Sequence, residues 1–225
     1  MSVWAVIVAA GRGVRSGLSQ NKVFFPIEGR SALSRCLDAF ERADAFDGVV
    51  LVLSAADEAR YREICDREGA HPLVRSIAHG GSTRQESVWA GLEQLPEDCE
   101  LVAIHDAARP FVAEDILRNT LESAQNTGSG VISTPITDAL KRVSADGAVA
   151  SVSRDDYRCV QTPQAFRRRE IVEAHRLARR EGYTAMDDAE LYERAYGGVT
   201  LVETASARQN RKLTMPEDFT MREPK

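Results

Sequence analysis

A glycine-rich segment near the amino terminus carries the first residues that could bind an anion. Residues 9–17 read AAGRGVRSG directly after an apolar run, and Lys22 stands seven residues beyond Arg15. Glycine lets backbone N–H groups approach phosphate oxygens closely, and the side chains of Arg15 and Lys22 would add positive charge. Taken alone, the pattern is also that of a tight turn with two solvated cations. Phosphate binding is therefore one of two interpretations of this segment.

Two known phosphate motifs do not fit the segment. A dinucleotide-binding fingerprint requires a third glycine where Ser16 stands and an acidic residue at the end of the second strand, where Leu53 and Ser54 stand. A P-loop requires a lysine directly after a glycine, whereas Lys22 follows Asn21. The sequence thus disfavours a nicotinamide oxidoreductase and excludes the loop of a nucleotide triphosphatase.

An aspartate stands at the end of another apolar run. Residues 101–104 are followed by His105, Asp106 and the segment AARP. In a doubly wound sheet, a carboxylate at the carboxyl end of a strand faces the ligand crevice, and its hard oxygens suit Mg²⁺. Asp106 is therefore a candidate magnesium ligand, although an aspartate at a strand end is also common as a structural turn residue. His105 is expected to be a packing or turn residue, because no second histidine stands at metal-ligand spacing.

A third group surrounds the start of a helix. Gly80 and Gly81 precede the helical pattern, and Ser87 stands one turn into it. Backbone groups beside two glycines can hydrogen-bond the edge of a planar base, and the hydroxyl of Ser87 can add to them. An ordinary helix start explains the same residues equally well. Further polar residues near apparent strand ends or turns are Arg154, residues 162–164 and residues 210–214.

The elements that must position these residues alternate along the chain. Apolar runs rich in β-branched residues predict buried strands, and apolar residues at i, i+3 and i+4 predict helices. The predicted strands span residues 3–9, 49–53, 73–77, 101–104, 131–133 and 199–203. The predicted helices span 33–40 with Ser31 as cap, 56–68, 82–95 with Ser82–Gln85 or Thr83–Glu86 as capping box, 113–126, 167–180, 187–196, and a last one from Met215. This alternation predicts an α/β fold with a mostly parallel sheet flanked by helices.

Between residues 135 and 161 the pattern changes to short β segments. Residues 140–143 and 149–152, joined by a turn that contains Gly147, predict a β-hairpin. A two-stranded hairpin is marginally stable by itself, so it is expected to pack on something else. A partner subunit is the natural candidate.

Composition limits the class of protein. The chain has 225 residues, 43% of them hydrophobic and 28% charged, and a formal net charge of -5. These values predict a soluble chain that folds as one domain over residues 1–225 without a fused partner domain, and the acidic balance disfavours nucleic acid as a partner. No run approaches the ~20 apolar residues of a membrane span, and residues 1–10 lack a secretion signal, so no membrane is expected and the cytoplasm is the default location. Four scattered cysteines without a CxxC pair predict neither a zinc site nor a disulfide framework.

Seven blocks follow one another along the chain: AAGRGVRSG with Lys22, GGSTRQESV, HDAARP, DALKRV, SRDDYRCVQTPQAF, DDAELYE and QNRKLTMPEDF. Together they resemble the 2-C-methyl-D-erythritol 4-phosphate cytidylyltransferases of non-mevalonate isoprenoid biosynthesis. The resemblance covers nearly the whole chain and implies a Rossmann-like nucleotidyltransferase fold. It also implies a homodimer in which a protruding β-arm, at about residues 136–158, reaches the partner subunit.

The resemblance implies a nucleotide-binding role for one set of residues. Those that would wrap CTP are Ala9, Ala10, Gly11 and Gly13. Arg15 and Lys22 would bind the phosphates of CTP and stabilise the transition state, and Gly81 and Ser87 would meet the cytosine.

A second set is implied for the acceptor, a sugar-alcohol phosphate. Asp106 would hold Mg²⁺ as the cofactor, and Arg109 and Thr162 would line the pocket. Arg154 and Lys212 would position the acceptor phosphate and offset its charge. If the β-arm is exchanged between subunits, Arg154 would act across the dimer interface.

The chain departs from the family pattern at four places, one of them a pair of residues. The family usually has Pro at Asn21, Thr at Ala139, Gly at Thr204 and a Thr-Asp start at residues 185–186. Ala139 bears on the choice of acceptor, because the family threonine contacts the sugar phosphate in the partner's pocket. Two alternatives therefore remain beside the isoprenoid enzyme, a ribitol-5-phosphate cytidylyltransferase and a weakly catalytic nucleotide-binding paralogue.

Overall fold

Strands and helices alternate along the part of the chain that the computed structural model describes, residues 1–11, 21–214 and 218. The strands are β1 (Ser2–Val8), β2 (Pro26–Ile27), β3 (Arg30–Ser31), β4 (Gly48–Leu53), β5 (Val74–His79), β6 (Cys99–Asp106), β7 (Ser129–Pro135), β8 (Leu140–Val143), β9 (Val149–Val152), β10 (Arg158–Arg167) and β11 (Leu201–Val202). The α-helices are α1 (Ala32–Ala43), α2 (Glu58–Glu68), α3 (Arg84–Leu92), α4 (Glu114–Thr127), α5 (Arg168–Glu181) and α6 (Asp188–Tyr196). The predicted last helix from Met215 lies outside the described residues.

The central sheet has seven strands in the order β5-β4-β1-β6-β10-β7-β11. Neighbouring strands are parallel except at β10, which runs antiparallel to both β6 and β7. Every residue of β4 is buried, as expected of a strand covered on both faces. The predicted α/β fold with a mostly parallel sheet flanked by helices is confirmed.

Successive residues of a strand point to opposite faces of the sheet and so divide the core in two. Val6 of β1 belongs to the buried cluster that includes Leu92 of α3 and Ile171 of α5. Its neighbour Ile7 belongs to the cluster that includes Leu37 of α1. Because helices cover both faces, the loops at the carboxyl ends of the strands are the place where a ligand can enter.

The carboxyl ends of β1, β4 and β6 lie side by side. Val8 pairs with Val52 of β4 on one side and with Asp106 of β6 on the other. The next residues continue the alignment, since Ala9 N–H donates to the Val52 carbonyl at 2.8 Å and Ala107 N–H to the Val8 carbonyl at 3.0 Å. The loops that follow β1 and β6 therefore meet at one edge of the sheet.

Two helix starts have the predicted caps. The side chain of Ser31 accepts a hydrogen bond from Ser34 N–H at the start of α1. Of the two possible capping boxes at α3, the one formed is that of Thr83 with Glu86. Ser82 contributes differently, because its hydroxyl and its N–H both donate to the Glu86 carboxylate.

The sequence failed to predict β10, which lies in the middle of the sheet. The sequence predicts residues 162–164 near a strand end or turn. Proline has no N–H to donate and is rare in central strands. The structure accommodates Pro163 by an irregularity: the pairing of β10 with β7 shifts register between Val160 and Gln164. Pairing with β6 begins at Gln164, where pairing with β7 also continues.

The predicted hairpin is present with the predicted bounds. β8 and β9 form their own two-stranded antiparallel sheet, separate from the central one, with register from Leu140–Val152 to Val143–Val149. Most of its side chains are exposed. In the part of the chain that the structure describes, no helix has the length and apolar character needed to cross a membrane.

Candidate active site

Two cations converge on the carboxylate of Asp106, the last residue of β6. Its Oδ2 accepts a hydrogen bond from Lys212 Nζ at 2.6 Å, and its Oδ1 accepts one from Arg84 Nε at 3.1 Å. Burial opposes ionisation, but the positive charges of Arg84 and Lys212 outweigh it and hold the pKa of the Asp106 carboxyl well below its usual range. The edge of the sheet therefore carries an ionised carboxylate between two positive groups.

Arg84, the first residue of α3, joins Asp106 to a second buried carboxylate. Its Nη1 donates to Asp188 Oδ2 at 2.7 Å, and Asp188 is only 1% exposed at the start of α6. The other oxygen of Asp188 lies 3.0 Å from Nε2 of His175, a fully buried residue of α5. Burial would raise the pKa of Asp188, but the Arg84 charge and the His175 hydrogen bond lower it overall. A continuous polar network thus runs from Lys212 to His175.

Hydrogen bonds fix the backbone before and after Lys212. The fully buried Asn210 donates from Nδ2 to the Thr162 carbonyl at 2.8 Å. The Asn210 carbonyl accepts from Arg109 Nη1 at 2.6 Å, and Leu213 N–H donates to a carbonyl of the loop after β6 at 2.8 Å. These bonds place Lys212 beside Asp106 although the two are far apart in the chain.

Thr162 and Arg109 were both predicted to line the pocket. In the structure they hydrogen-bond the backbone of Asp106 and of Asn210, respectively. The Thr162 hydroxyl accepts the backbone N–H of Asp106 at 3.1 Å and lies 3.3 Å from His105 Nδ1. Arg109 donates to the Asn210 carbonyl, and burial lowers the pKa of the Arg109 guanidinium below its usual value. Contact of either side chain with a substrate stays a prediction.

The side chains of Ala10 and Ser87 both lie close to Gly80. A Cβ on Gly80 would lie 2.5 Å from the Ala10 Cβ and 2.7 Å from the Ser87 Oγ, so only glycine allows the two to approach. Ser87 is buried, and its hydroxyl donates to the Thr83 carbonyl at 2.9 Å. Gly81 is equally close to the capping residue, since its Cβ would lie 2.5 Å from the Glu86 Cβ. The structure thus brings Ala10, Gly81 and Ser87 to one region, and a contact with cytosine stays a prediction.

The side chain of Asn21, the residue before Lys22, is hydrogen-bonded to the end of β1. Its Nδ2 donates to the Ala9 carbonyl at 2.6 Å and to Asp57 Oδ2 at 3.0 Å. Lys22 follows directly and begins a short 3₁₀ helix, which Asn21 caps. Ala9 is buried and Gly11 is exposed at this edge.

One described residue of the predicted set, Arg154, is not brought into this region. Gly13 and Arg15 lie outside the described residues. Arg154 is exposed after β9, and its guanidinium donates to the Thr137 carbonyl. Among the described residues, no hydrogen bond or ion pair links Arg154 to the network around Asp106.

Asp106 supplies a single carboxylate for a magnesium ion. Among the described residues, the group of three with ligand atoms close together is instead Asp38, Glu41 and His71. Asp38 and Asp106 both already bind cations, because Arg30 donates to the two oxygens of Asp38 at 2.5 and 2.6 Å, and Lys212 and Arg84 donate to one oxygen each of Asp106. Mg²⁺ commonly takes one carboxylate and completes its shell with substrate phosphates and water. The residues therefore fit an ion that arrives with an anionic ligand, rather than one held by the protein alone.

The model of the family "IspD: 2-C-methyl-D-erythritol 4-phosphate cytidylyltransferase" matches residues 3–224. The chain belongs to the IspD family. It is 40% identical over 220 residues to the 2-C-methyl-D-erythritol 4-phosphate cytidylyltransferase of Prochlorococcus marinus, with 97% of this chain and 95% of that protein covered. It is 41% identical over 221 residues to the bifunctional enzyme IspD/IspF of Desulforudis audaxviator, with 97% of this chain covered but 55% of the relative. The chain thus spans about half the length of the bifunctional relatives.

Solved structures of IspD proteins share the fold. The 4-diphosphocytidyl-2C-methyl-D-erythritol synthase of Anaerococcus prevotii superposes with a TM-score of 0.84 at 28% identity, covering 97% of this chain and 92% of that one. The predicted Rossmann-like nucleotidyltransferase fold is therefore confirmed.

Three residues of the network in this IspD-family chain were missed by sequence reasoning: Arg84, Asp188 and His175. Arg84 and Asp188 stand in two of the blocks that carry the resemblance, but 104 residues separate them. No spacing rule pairs residues so far apart. The available signal was indirect: a cation at the first position of a capped helix, where an acidic residue is the usual preference.

Proposed function

We propose that this chain transfers the cytidylyl group of CTP to 2-C-methyl-D-erythritol 4-phosphate, which gives 4-diphosphocytidyl-2-C-methyl-D-erythritol and pyrophosphate. The acceptor phosphate oxygen forms a bond to the α-phosphorus of CTP. The bond from that phosphorus to the bridging oxygen breaks, and pyrophosphate leaves with the electron pair. The observation that carries the proposal is the match of one cytidylyltransferase family over residues 3–224, with positive groups gathered around Asp106 at the sheet edge.

The reaction requires no general base at this edge. A phosphate monoester has a second pKa of about 6 and is mostly a dianion at pH 7, so its oxygen is already nucleophilic. The histidine next to Asp106 is packed inside: burial lowers the pKa of His105 to about 4, and its ring nitrogens face the Arg109 carbonyl and the Thr162 hydroxyl. The site therefore supports a mechanism of positioning and charge neutralisation.

Positive side chains would offset the repulsion between two anionic substrates. Arg15 and Lys22 would act on the triphosphate, and Arg154 and Lys212 on the acceptor phosphate. Support for Lys212 comes from its fastened backbone and its position on Asp106. Support for Lys22 comes from the bond between Asn21 and Ala9, which ties the backbone before the lysine to the end of β1.

Asp106 would hold Mg²⁺ through its carboxylate. When bound, the ion would neutralise negative charge on the phosphate oxygens of the nucleotide. Lys212 and Arg84 would keep Asp106 ionised and oriented.

We also propose that the active form is a homodimer joined through the β-arm. The paired side chains Val143 and Val149 on the β8–β9 hairpin are 67% and 63% exposed. Tyr157 and Val160 beside the hairpin are exposed as well. A second copy of the chain would cover these apolar groups and would receive Arg154 in its site.

Pyrophosphate release tests the proposal. The purified chain is given CTP and Mg²⁺ with either 2-C-methyl-D-erythritol 4-phosphate or ribitol 5-phosphate. We expect turnover with the first acceptor and none with the second. Turnover with ribitol 5-phosphate alone would overturn the acceptor but keep the chemistry, whereas silence with both, in protein that still binds CTP, would indicate a non-catalytic paralogue.

A further inference from the structure

Arg84 is the one described side chain that bridges Asp106 to another carboxylate. Its guanidinium uses Nε for Asp106 and Nη1 for Asp188. A planar guanidinium held at two edges cannot rotate without breaking one of the bonds. The orientation of Arg84, and with it the environment of the Asp106 Oδ1, is therefore set by Asp188.

Asp188 is buried, and its side-chain partners among the described residues are Arg84 and His175. It is 1% exposed, and its two oxygens are used by Arg84 Nη1 and His175 Nε2. An ionised carboxylate buried to this extent has a desolvation cost that replacement by an apolar residue would avoid. A role confined to stability would not need the charge, which suggests that Asp188 serves the arrangement of Arg84.

The start of α6, where Asp188 stands, is fixed to the strand that holds the backbone of Asp106. Gln164 of β10 donates from Nε2 to Asp187 Oδ2 at 2.9 Å and accepts Ala189 N–H at 2.9 Å. Two residues earlier in β10, Thr162 accepts the Asp106 N–H. The backbone near Asp188 and that of Asp106 are thus both hydrogen-bonded to β10. These bonds fix the distance between the two carboxylates that Arg84 bridges.

We propose that Asp188 and Arg84 are positioning residues of the cytidylyl transfer: Asp188, backed by His175, holds the Arg84 guanidinium, and Arg84 holds the Asp106 carboxylate so that Lys212 meets it in one geometry. The inference rests on the proposed function. It assigns to Arg84, His175 and Asp188 a part in the reaction, and none of these three is among the site residues predicted from the sequence.

The test is a double-mutant cycle on pyrophosphate release, with kcat and the KM for CTP measured separately. Asp188→Asn keeps the shape and removes the charge, and Arg84→Lys keeps a charge but cannot bridge two carboxylates. We expect each single variant to lose about 10- to 100-fold in kcat, the scale for residues behind a catalytic group, with a much smaller change in KM. Because Asp188 acts through Arg84, the double variant should be no slower than Arg84→Lys.

Two further variants separate positioning from a loss of stability. Leu121→Ala removes core packing of α4, away from the network, and should lower the melting temperature without lowering kcat where the protein is folded. His175→Gln loosens Asp188 but keeps its charge, so it should lower kcat less than Asp188→Asn and should have no effect in the Arg84→Lys background. It serves as the substitute for Asp188→Asn if that variant does not fold.

The outcomes distinguish this inference from the proposed function. A wild-type chain that turns over while Asp188→Asn keeps its full kcat would overturn the inference alone. Losses that multiply in the double variant would overturn it as well, because Asp188 would then act independently of Arg84. A wild-type chain that is silent with both acceptors would overturn the proposed function and this inference together.

Discussion

The side-chain amide of Asn21 donates to the backbone carbonyl of Ala9 at 2.6 Å and to the carboxylate of Asp57 at 3.0 Å. The amide is buried, and Lys22 follows it in the chain. One side chain therefore ties three parts of the molecule together: the end of β1, the start of α2 and the backbone that leads to the proposed catalytic lysine.

Asn21→Ala should lower the free energy of unfolding by about 1–3 kcal/mol, because the Ala9 carbonyl loses the amide donor and the Asp57 carboxylate keeps the Ser54 hydroxyl but loses the amide. Asn21→Pro should lower the free energy of unfolding by less than Asn21→Ala does. The φ of -60° at Asn21 is one that proline adopts, and proline restricts the unfolded chain, which is worth about 0.4–1 kcal/mol. Urea unfolding of the three proteins measures the order, and equal stability of Asn21→Ala and the wild type would contradict the role of the amide.

Gly80 is predicted to tolerate no side chain. Gly80→Ala would place a methyl group 2.5 Å from the Ala10 Cβ and 2.7 Å from the Ser87 Oγ, so either the loop or α3 must shift. We expect a loss of about 1–3 kcal/mol in the free energy of unfolding and a higher KM for CTP. Gly11→Ala is the matched stability control, because among the described residues no atom beyond its chain neighbours lies within 4 Å of the added Cβ. Its stability should stay within about 0.5 kcal/mol of the wild type.

Local signals in the sequence sufficed for most of the fold. The apolar run of β4 predicts a strand buried on both faces, and Ser31 marks the start of α1, because burial and capping depend on residues close in the chain. β10 was missed for a physical reason. Its Pro163 argues against a central strand, and only the irregular pairing with β7 makes the strand possible.

The sequence identified those candidate site residues whose side-chain type and motif indicate a function by themselves. Asp106 and Lys212 were named from the sequence and lie together in the structure. Arg84 and Asp188 were not, because their contact depends on how α3 and α6 pack against the same sheet edge. The role of Asn21 was hidden for the same reason, since a departure from the family pattern shows that a residue differs but not what it contacts.

Lys22→Ala should lower kcat by about 10²-fold or more, the scale of losing one transition-state donor, with a smaller loss of CTP binding. We expect the same of Arg15→Ala. Arg62→Ala is the control, because its side chain is 73% exposed on α2 and, within the described part of the chain, forms its ion pair with Glu58 one turn earlier. Steady-state pyrophosphate release checks all three, and an unchanged kcat would remove the lysine or the arginine from its assigned role.

Glu68 links stability to pH. Its side chain is 6% exposed, and its carboxylate accepts hydrogen bonds from the Ser31 N–H at 2.9 Å and from Arg67 at 2.6 Å. Burial would raise the pKa of Glu68, but these donors outweigh it and lower the pKa to about 2. Because the pKa is depressed in the folded state, the stabilisation is complete above the unfolded value of about 4.3 and is lost as the pH falls toward 2.

Glu68→Gln should therefore be less stable than the wild type by about 1–3 kcal/mol at pH 7. The difference should shrink as the pH falls from about 5, above the unfolded pKa of Glu68, to about 2, its folded pKa. Urea unfolding of both proteins over this range, down to the lowest pH at which both fold, measures it. A difference that does not change with pH would show that the carboxylate is not the stabilising form.

The proposed exchange of Arg154 across a dimer predicts rescue between two inactive proteins. In a mixed dimer of Arg154→Ala and Lys212→Ala subunits, the Arg154→Ala subunit keeps its own Lys212 and receives Arg154 from the other chain. Half of the dimers are mixed and one of their two sites is intact, so the mixture should recover about a quarter of the wild-type kcat. If Arg154 instead served its own subunit, each site would carry one defect and nothing would be recovered. The control adds Val143→Asp and Val149→Asp to both subunits. The charges should prevent the exposed hairpin faces from pairing, which would abolish the rescue and leave monomers in sedimentation equilibrium.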